Sequence, residues 1–405
     1  MAMDYRAEKA GKYDFFDLEN CDLCGECFYR CPYLGLGRSE AMEEIKRLVH
    51  GLPSRYVHER CVSCYACDTY CAKGCRPYEL VIRTWYERYL RRGLPVRAAY
   101  LMPAKTPNFR TDLVPSMTER ERALLKKWSE TLPEGDLVLY PGCNALTLPH
   151  LLDTPLLDGL TISGSFDLCC GEMYFRMGIF DAVERTAERL TLYFRDRDIG
   201  TMLFVCPACL NMFRNVLPSL FGAEFSFKTR YLGEFILERL DAGELQVRSL
   251  QERKVAVHDS CHGRVLGREI METARDLYRR LGLTPLEIAP DPSRGLCCGM
   301  AAGCNRYRPE DMYLASVKEL RAASRTGADE IATYCGGCHL TLNLMKWIYP
   351  VRQPVRHLME YLRMAAGERV DLATTPKRSL RMLANITVKA LPKIASRKNF
   401  YLDAV

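Results

Sequence analysis

No apolar run in this sequence approaches the roughly 18 residues that a membrane-crossing helix needs, so no membrane-spanning helix is expected. The opening segment, Met1 to Lys12, is charged and lacks the apolar core of a secretory signal. A cytoplasmic protein is therefore expected, and with it reduced thiols rather than disulfides. The body of the chain also lacks a strong charge of either sign. Of the formal +7, a net +5 lies in residues 371–405, where Lys377, Arg378, Arg381, Lys389, Lys393, Arg397 and Lys398 meet only Asp371 and Asp403. A nearly neutral body gives no electrostatic footprint for nucleic acid, and none is expected as a partner.

What the chain has in excess is cysteine, 20 in 405 residues, against an otherwise ordinary 48% hydrophobic and 26% charged composition. Ten of them fall into two similar sets. The first is Cys143, Cys169-Cys170-Gly171 and Cys206-Pro207-Ala208-Cys209. The second is Cys261, Cys297-Cys298-Gly299 and Cys335-Gly336-Gly337-Cys338. Each offers five thiols, whereas one tetrahedral zinc takes four. The side chains of adjacent cysteines diverge, which suits a body of several metal atoms rather than one ion. Thiolate is soft and favours iron–sulfur clusters, zinc and Cu(I). Five donors exceed the four corners of a cubane and point to a cluster of another shape. Gly171 and Gly299 are expected to let the backbone pass close to it.

Two further runs lie upstream. Cys21, Cys24, Cys27 and Cys31-Pro32 follow C-x2-C-x2-C-x3-C-P, the bacterial ferredoxin spacing for [4Fe–4S] clusters, and Cys61, Cys64, Cys67 and Cys71 repeat it. In two-cluster ferredoxins the fourth cysteine of each run serves the other cluster. The expected sets are thus Cys21, Cys24, Cys27 with Cys71, and Cys61, Cys64, Cys67 with Cys31. A pair of zinc knuckles is the competing reading. Ala72 stands where a proline is expected, and the extra Cys75 is read as a packed small residue, with replacement of Cys71 as the alternative.

Helical spacing marks Ser39–Gly51, through Ala41, Ile45, Leu48 and Val49, and Glu79–Arg92, with Trp85 and Tyr89 on one core-facing stripe. Pro95, Pro103, Pro107 and Pro115 mark residues 93–118 as a linker. A helix follows at Thr118–Glu130, opened by a Thr118/Glu121 capping box. The repeat then begins. Asp136–Cys143 aligns with Lys254–Cys261, Asp167–Gly171 with Gly295–Gly299, and Thr201–Cys209 with Glu330–Cys338. Short apolar runs before Cys143 and Cys206 read as buried parallel strands, and Phe180–Arg195 and Pro309–Ser324 as the helices between. Strand, cysteine loop and helix in alternation predict two α/β units, with the thiols at the carboxyl ends of the strands.

These residues resemble the heterodisulfide reductase family. The doubled CCG pattern is similar to the cysteine-rich domain of its catalytic subunit, and the upstream quartets to its electron-entry subunit. One chain with both resembles the fused D-type subunit. Similar fusions occur in sulfite-reduction membrane complexes, in glycolate and glycerol-3-phosphate oxidising complexes and in class II benzoyl-CoA reductase complexes. The resemblance spans about residues 14–365. It implies a non-cubane [4Fe–4S] cluster on each five-cysteine set and cleavage of a disulfide between them, one sulfur captured at each.

The resulting expectation is a multidomain α+β protein. Residues 1–95 form a helical domain with two cubane [4Fe–4S] clusters, and 96–134 a linker and connecting helix. Residues 135–250 and 251–367 form two duplicated α/β CCG domains, and 368–405 a basic tail. Cys261, Cys297, Cys298, Cys335 and Cys338 are read as the catalytic set; the other thirteen named cysteines hold cofactor. Zinc in the first CCG domain is an alternative, and Cys304 receives no role. His262 and His339 are candidate proton donors, with a structural role as the alternative. Arg264, Arg268, Arg306 and Arg308 are candidates for holding an anionic substrate or offsetting cluster charge, with plain surface arginines as the alternative.

The expected activity is electron transfer from the cubane pair to the CCG clusters for disulfide reduction, or the reverse thiol oxidation. A non-catalytic relay inside a larger membrane-associated or benzoyl-CoA reductase-type complex is the alternative. The expected partners are redox subunits of flavoprotein, hydrogenase or cytochrome b type and a small disulfide or thiol. In the tail, Leu380, Leu383, Ile386, Ala390, Leu391 and Ile394 recur at near-helical spacing, interrupted by Pro392. That predicts either contact with an anionic membrane surface on the cytoplasmic face or a partner, or a helix packed on the body.

Overall fold

The computed structural model describes residues 12–291 and 294–402. The lead-in 1–11, Asp403 and the Leu391 side chain, invoked above, lie outside the described residues.

The N-terminal region is built from helices. Arg38–Val49 buries Ala41, Ile45 and Leu48 along one stripe. Its buried Glu44 accepts from the Arg55 and Tyr56 amides and the Ser54 hydroxyl, which fixes the chain leading to the second cysteine run. The helix Pro77–Arg92 opens with proline, whose missing N–H costs nothing at that position, and buries Trp85 and Tyr89. The short helices Glu26–Tyr29 and Ala66–Tyr70 each lie inside a cysteine run. The strand β1 (Leu94–Pro95) closes the region.

The residues after it pack into the interior. Ala98, Tyr100, Met102, Phe109 and Leu113 are all buried, so the proline-marked stretch is not a free tether. The helix Glu119–Glu130 follows with its capping box formed: Thr118 Oγ1 accepts from the Glu121 amide and Glu121 accepts from the Thr118 amide.

Two parallel four-stranded sheets carry the rest. In the first, β2 (Gly135–Tyr140), β3 (Thr161–Ile162), β4 (Ile199–Phe204) and β5 (Lys228–Tyr231) lie in the order β3-β2-β4-β5. In the second, β6 (Arg253–His258), β7 (Leu283–Glu287), β8 (Glu330–Thr333) and β9 (Val355–His357) lie in the order β7-β6-β8-β9. The orders are the same, strand for strand, so the sequence repeat is a repeat of topology. In each sheet the two central strands are apolar and buried: Val138 to Tyr140 with Met202 to Phe204, and Val255 to Val257 with Ile331 and Ala332. Helices Phe180–Phe194 and Pro309–Ser324 stand at corresponding places between them. No helix among the described residues is long and apolar enough to cross a membrane.

The tail is part of the fold. The helix Thr374–Lys389 packs against the helix Gly336–Lys346. Its Arg378 is buried, donating to the Glu121 carboxylate at 2.8 Å and to the Thr147 carbonyl at 3.0 Å. Beyond it, β10 (Asn399–Phe400) pairs antiparallel with β1, and the Leu402 amide donates to Tyr89. Of the two readings of the tail, packing on the body is the one the structure carries. One apolar core runs from Tyr13 to Leu402.

Burial opposes the charge on Glu121, but hydrogen bonds from His150 and Arg378 outweigh it and hold the carboxyl well below its ordinary range. The pair therefore adds stability above about pH 4, the unfolded carboxylate range, and loses it as the pH falls through the lower folded value. Arg378→Met leaves Glu121 buried with His150 and Thr118 but without its guanidinium, and is expected to cost about 3 kcal/mol, read as a lower unfolding midpoint. Arg378→Met with Glu121→Gln should recover most of that loss; equal loss in both would show that the arginine acts through packing alone.

Candidate metal centres

Two cysteines of each five-thiol set, the first and the fourth, stand just past the ends of parallel strands. Cys143 follows β2, Cys206 follows β4, Cys261 follows β6 and Cys335 follows β8. Four chain ends thus deliver thiols to one seam between the two sheets. The paired cysteines come from loops closed by Gly171 (φ 77°) and Gly299 (φ 102°). A Cβ at position 299 would meet the Met312 carbonyl oxygen at 2.6 Å and the Ser316 hydroxyl closer still; at position 171 it would crowd Thr186. These glycines permit a close approach to the helices Phe180–Phe194 and Pro309–Ser324.

The thiols form a row that crosses the repeat boundary. Cys143, Cys169, Cys170, Cys209 and Cys206 are neighbours in turn, Cys170 and Cys209 lying 3.6 Å apart. Cys206 then meets Cys335 of the other repeat at 3.9 Å, and Cys338, Cys298 and Cys297 continue the row. Cys261 stands beside Cys297 and accepts from Arg176 Nη2 at 2.9 Å. All ten are buried or nearly so. Hydrogen bonding within the row splits their acidities: Cys169 and Cys209 pull Cys170 down to about 6, while contact with Cys170 and Cys206, together with burial, pushes Cys209 well up.

The N-terminal cysteines form two groups. Cys21, Cys24 and Cys71 act on Cys27, and Cys71 accepts from the Cys75 amide at 3.4 Å. Cys31 and Cys64 both act on Cys61. Cys71 thus lies with Cys21, Cys24 and Cys27, and Cys31 with Cys61 and Cys64, while Cys67 lies near Cys27 as well as near Cys61 and Cys64. Burial pushes Cys31 and Cys61 up to about 12. In both runs the same two loop positions are left-handed, Leu23 and Gly25 in one, Ser63 and Tyr65 in the other. Non-glycine residues seldom hold that conformation, and it clusters at ligand-binding loops. Cys24 is exposed, whereas Cys64 is buried.

Do these residues fit iron–sulfur clusters? Thiolate-bound clusters are anionic, and buried cations with unused N–H groups line the row. Arg110, from the stretch before the first sheet, is raised by Cys143 and Cys169 against the cost of its burial, and its Nε and Nη1 make no hydrogen bond among the described residues. Arg264 is likewise raised by Cys64, Cys261 and Cys297 against burial, with Nε and Nη2 free of protein acceptors among the described residues. Arg176 donates to the Ser63 carbonyl and pairs with Glu172 as well as reaching Cys261. Guanidiniums left unsatisfied by protein are costly unless an anion sits beside them. The donor set and these cations fit the group.

Of the arginines expected to serve the site, Arg264 faces Cys64, Cys261 and Cys297, and Arg306 lies near enough to Cys61 to oppose the rise that burial gives it. Arg306 is paired with Asp311, Arg268 is exposed on a helix surface, and Arg308 precedes the helix Pro309–Ser324. Arg110 and Arg176 were not legible because nothing in the sequence pattern sets them apart from other arginines. His339 is buried and held well below its ordinary value by burial and by His357, which makes it neutral and unsuited to giving up a proton. His262 lines the cavity over the second set, with Nε2 2.8 Å from Glu172 and 2.7 Å from Arg176 and Nδ1 3.3 Å from the Asn211 amide nitrogen. His258, passed over in the sequence, faces Cys298 and Cys338.

The second thiol set is joined to the Cys31/Cys61 group directly. The Cys297 amide donates to the Tyr33 hydroxyl at 2.8 Å, and Asn305 donates to the Cys61 carbonyl at 3.0 Å. Val62, Cys64, Ala66 and Tyr70 pack with Cys297 and Ala301 in one small cluster. A cavity lies over the second set, lined by Cys261, Cys297, Cys298, Cys335 and Cys338 with Glu172 and Arg176. It shares Met173, Met300 and Cys304 with an apolar cleft that runs under Met382 and Ile386 of the tail helix.

Removing the Arg176 charge should lower the reduction potential of the centre containing Cys261, because the cation favours the more negative reduced state. Arg176→Gln is expected to shift the midpoint downward in a redox titration, and Arg176→Lys to restore most of it. An unmoved midpoint would mean that the arginine only ties Ser63 to the helix Glu172–Arg176.

Comparison with known proteins is consistent with this geometry. The cysteine-rich CCG domain matches residues 155–214 and again 255–343. The chain is 23% identical over 370 residues to the D subunit of the dihydromethanophenazine:CoB–CoM heterodisulfide reductase of Methanosarcina barkeri, covering 81% of this chain and 88% of that one. It is 24% identical over 400 residues to the glycolate oxidase iron-sulfur subunit of Escherichia coli, covering 86% and 94%. It is 20% identical over 390 residues to the EtfAB:quinone oxidoreductase of Syntrophomonas wolfei, 80% of this chain and 53% of that protein, so it spans about half of that relative's length.

Proposed function

We propose that this chain, which belongs to the heterodisulfide reductase D-like proteins with two CCG domains, is an iron–sulfur oxidoreductase subunit that reduces a disulfide or runs the reverse thiol oxidation. The residues that would hold its groups are Cys21, Cys24, Cys27 and Cys71 for one cubane and Cys61, Cys64, Cys67 and Cys31 for the other. The sets Cys143, Cys169, Cys170, Cys206, Cys209 and Cys261, Cys297, Cys298, Cys335, Cys338 would each hold a non-cubane cluster. These groups supply one-electron transfer, two electrons and two protons per disulfide converted to two thiols.

The observation that carries the reading is the order of the thiols in space. They begin at exposed Cys24, where a redox partner subunit can dock, pass the Cys31/Cys61 group, and reach the second set through the Tyr33 and Asn305 contacts. The row then crosses to the first set at Cys206 and Cys335. The cavity over the second set gives a small sulfur compound access, and the apolar cleft beside it receives the organic arm. Arg176 and Arg264 hold their charge beside Cys261, where thiolate develops as the S–S bond breaks. The alternative, a relay without chemistry of its own, is favoured by nothing in this cavity.

Iron and sulfide analysis of anaerobically purified protein is expected to give about sixteen iron atoms per chain, four at each [4Fe–4S] site. Near eight, with stoichiometric zinc, would remove the non-cubane proposal. To separate enzyme from relay, thiols of increasing apolar length are added under oxidising conditions. A new paramagnetic signal should appear, and Cys298→Ser should abolish it while sparing the signals of the N-terminal groups. Indifference to every thiol, with electron transfer intact, would make the chain a relay.

A further inference from the structure

A second cavity, of about 300 Å³, lies where the end of the helix Pro77–Arg92, the residues after the helix Met300–Asn305 and the tail meet. That size is at the lower end of the range for small-molecule sites. Five arginines line it, Arg88, Arg92, Arg97, Arg306 and Arg397, and no aspartate or glutamate does. Two of the five are engaged: Arg306 pairs with Asp311, and Arg97 donates to the Tyr307 and Ile394 carbonyls. Arg88, Arg92 and Arg397 make no hydrogen bond or ion pair among the described residues. Arg88 stands over the Trp85 ring at 5.4 Å. Burial, then Arg92 and Arg308, act against the Arg88 charge, and Tyr307 and Glu59 offset them only in part.

We infer that this cavity binds a multiply charged phosphate-type anion, at a site separate from the thiols. The C-terminal end of a helix favours cations, which accounts for a basic last turn in Pro77–Arg92. It does not account for arginines that converge from separate stretches of chain. The pairing of β10 with β1, with the Val96 amide donating to the Lys398 carbonyl at 3.0 Å, fastens Arg397 over the cavity. Like charges gathered by such a closure repel one another unless an anion sits among them. A guanidinium fork matches phosphate oxygens two at a time, and three unpaired forks exceed the single charge of a carboxylate. Two buried groups of the lining add to this. Trp85 is 4% exposed and its Nε1 has no partner among the described residues; Asn305 is 1% exposed and its Oδ1 has none either. Buried polar groups are seldom left so. The Asn305 Nδ2 is already engaged with the Cys61 carbonyl. A hydrogen phosphate offers oxygens to an indole N–H and a hydroxyl to an amide oxygen, so one ligand class answers the arginines and both orphaned groups.

The test is calorimetry on the full chain, purified anaerobically, at low ionic strength. The probes are pyrophosphate, inorganic phosphate and phenyl phosphate, with acetate as the singly charged control. Saturable binding of pyrophosphate to a single site is expected, weakening as salt is added. Arg92 and Arg397 are exposed, so Arg92→Gln and Arg397→Gln should fold normally and each weaken binding about tenfold, the loss of one charge-assisted hydrogen bond. Trp85→Phe, which keeps a ring and removes the N–H, should weaken it as well. Arg91→Gln, in the same helical turn but outside the cavity, should leave it unchanged. Pyrophosphate should raise the unfolding midpoint of the unaltered chain and not that of the Arg92→Gln/Arg397→Gln double variant, whose iron content and anion-free midpoint match those of the unaltered chain. Tighter binding of phenyl phosphate than of inorganic phosphate would support the site with an organic phosphate as occupant, and the reverse would support it with a free oxyanion. No saturable binding, or binding as tight for acetate as for pyrophosphate, overturns the site. A loss in Arg91→Gln equal to that in Arg92→Gln also overturns it, leaving an adventitious ion only on a basic surface. None of these outcomes bears on the iron–sulfur reading, which the iron count tests separately.

Discussion

Ten thiols brought together away from water are the constraint on which this structure depends. A buried thiol resists ionisation, as Cys31 and Cys61 do, because the interior cannot solvate the thiolate. A row of thiolates in such a place is stable only if something cationic shares the space. The chain supplies part of that charge itself, through Arg110, Arg176 and Arg264, and several N–H groups of Arg110 and Arg264 find no acceptor among the described residues. These unpaired N–H groups fit an anionic, metal-bearing body held by the row. The parallel sheets serve this constraint by ending four strands at one seam.

Duplication explains how one chain meets it twice, and also what could be read from sequence. The repeat was visible because strand, cysteine loop and helix recur in step, and the cysteine runs because their spacing is tied to cluster geometry. The inner strands were legible as apolar runs ahead of Cys143 and Cys206. The outer strands were not: β3 has two residues, and β5, Lys228–Tyr231, is half polar because an edge strand needs only one buried neighbour. The residues that neutralise the thiols were equally hidden. Arg110 sits in a proline-rich stretch that reads as linker, and Arg176 follows the Cys169–Gly171 loop on a five-residue helix of the first repeat yet serves the second. Proximity in sequence carries ligands well and their counter-charges poorly, since a counter-charge can come from any element the fold brings near.

The tail teaches the same lesson from the other side. Its basic residues and apolar spacing fit a surface-docking segment as well as a packed helix, because both need one apolar face. What decides between them is the partner of a single residue. Arg378 is buried against Glu121 and the Thr147 carbonyl, so its charge belongs to the interior and not to a membrane. The tail helix then covers the apolar cleft, with Met382 and Ile386 lining it together with Met173 and Met300 near the thiols. A segment outside the family resemblance has thus become a wall of the route to the site.

The symmetry of the two sheets is broken where chemistry would need it to be. Both sets have five cysteines in the same order, and a pair of equal centres 3.9 Å apart at their nearest sulfurs would have no built-in direction for electrons. The N-terminal region removes that equality through its contacts with one set: Tyr33 and Asn305 tie the Cys31/Cys61 group to the second repeat, and Ser63 holds the arginine that reaches Cys261. That cation and the His258–Glu319 pair fall on the same side. The cavity opens there too. The contact with the N-terminal cysteines and the cavity lined by five thiols therefore coincide on the second set. The first set, walled by Tyr140 and Arg110, lies one sulfur contact further on. A duplicated fold supplies two thiol platforms from one topology, and the residues that differ between the copies are those that assign them different tasks.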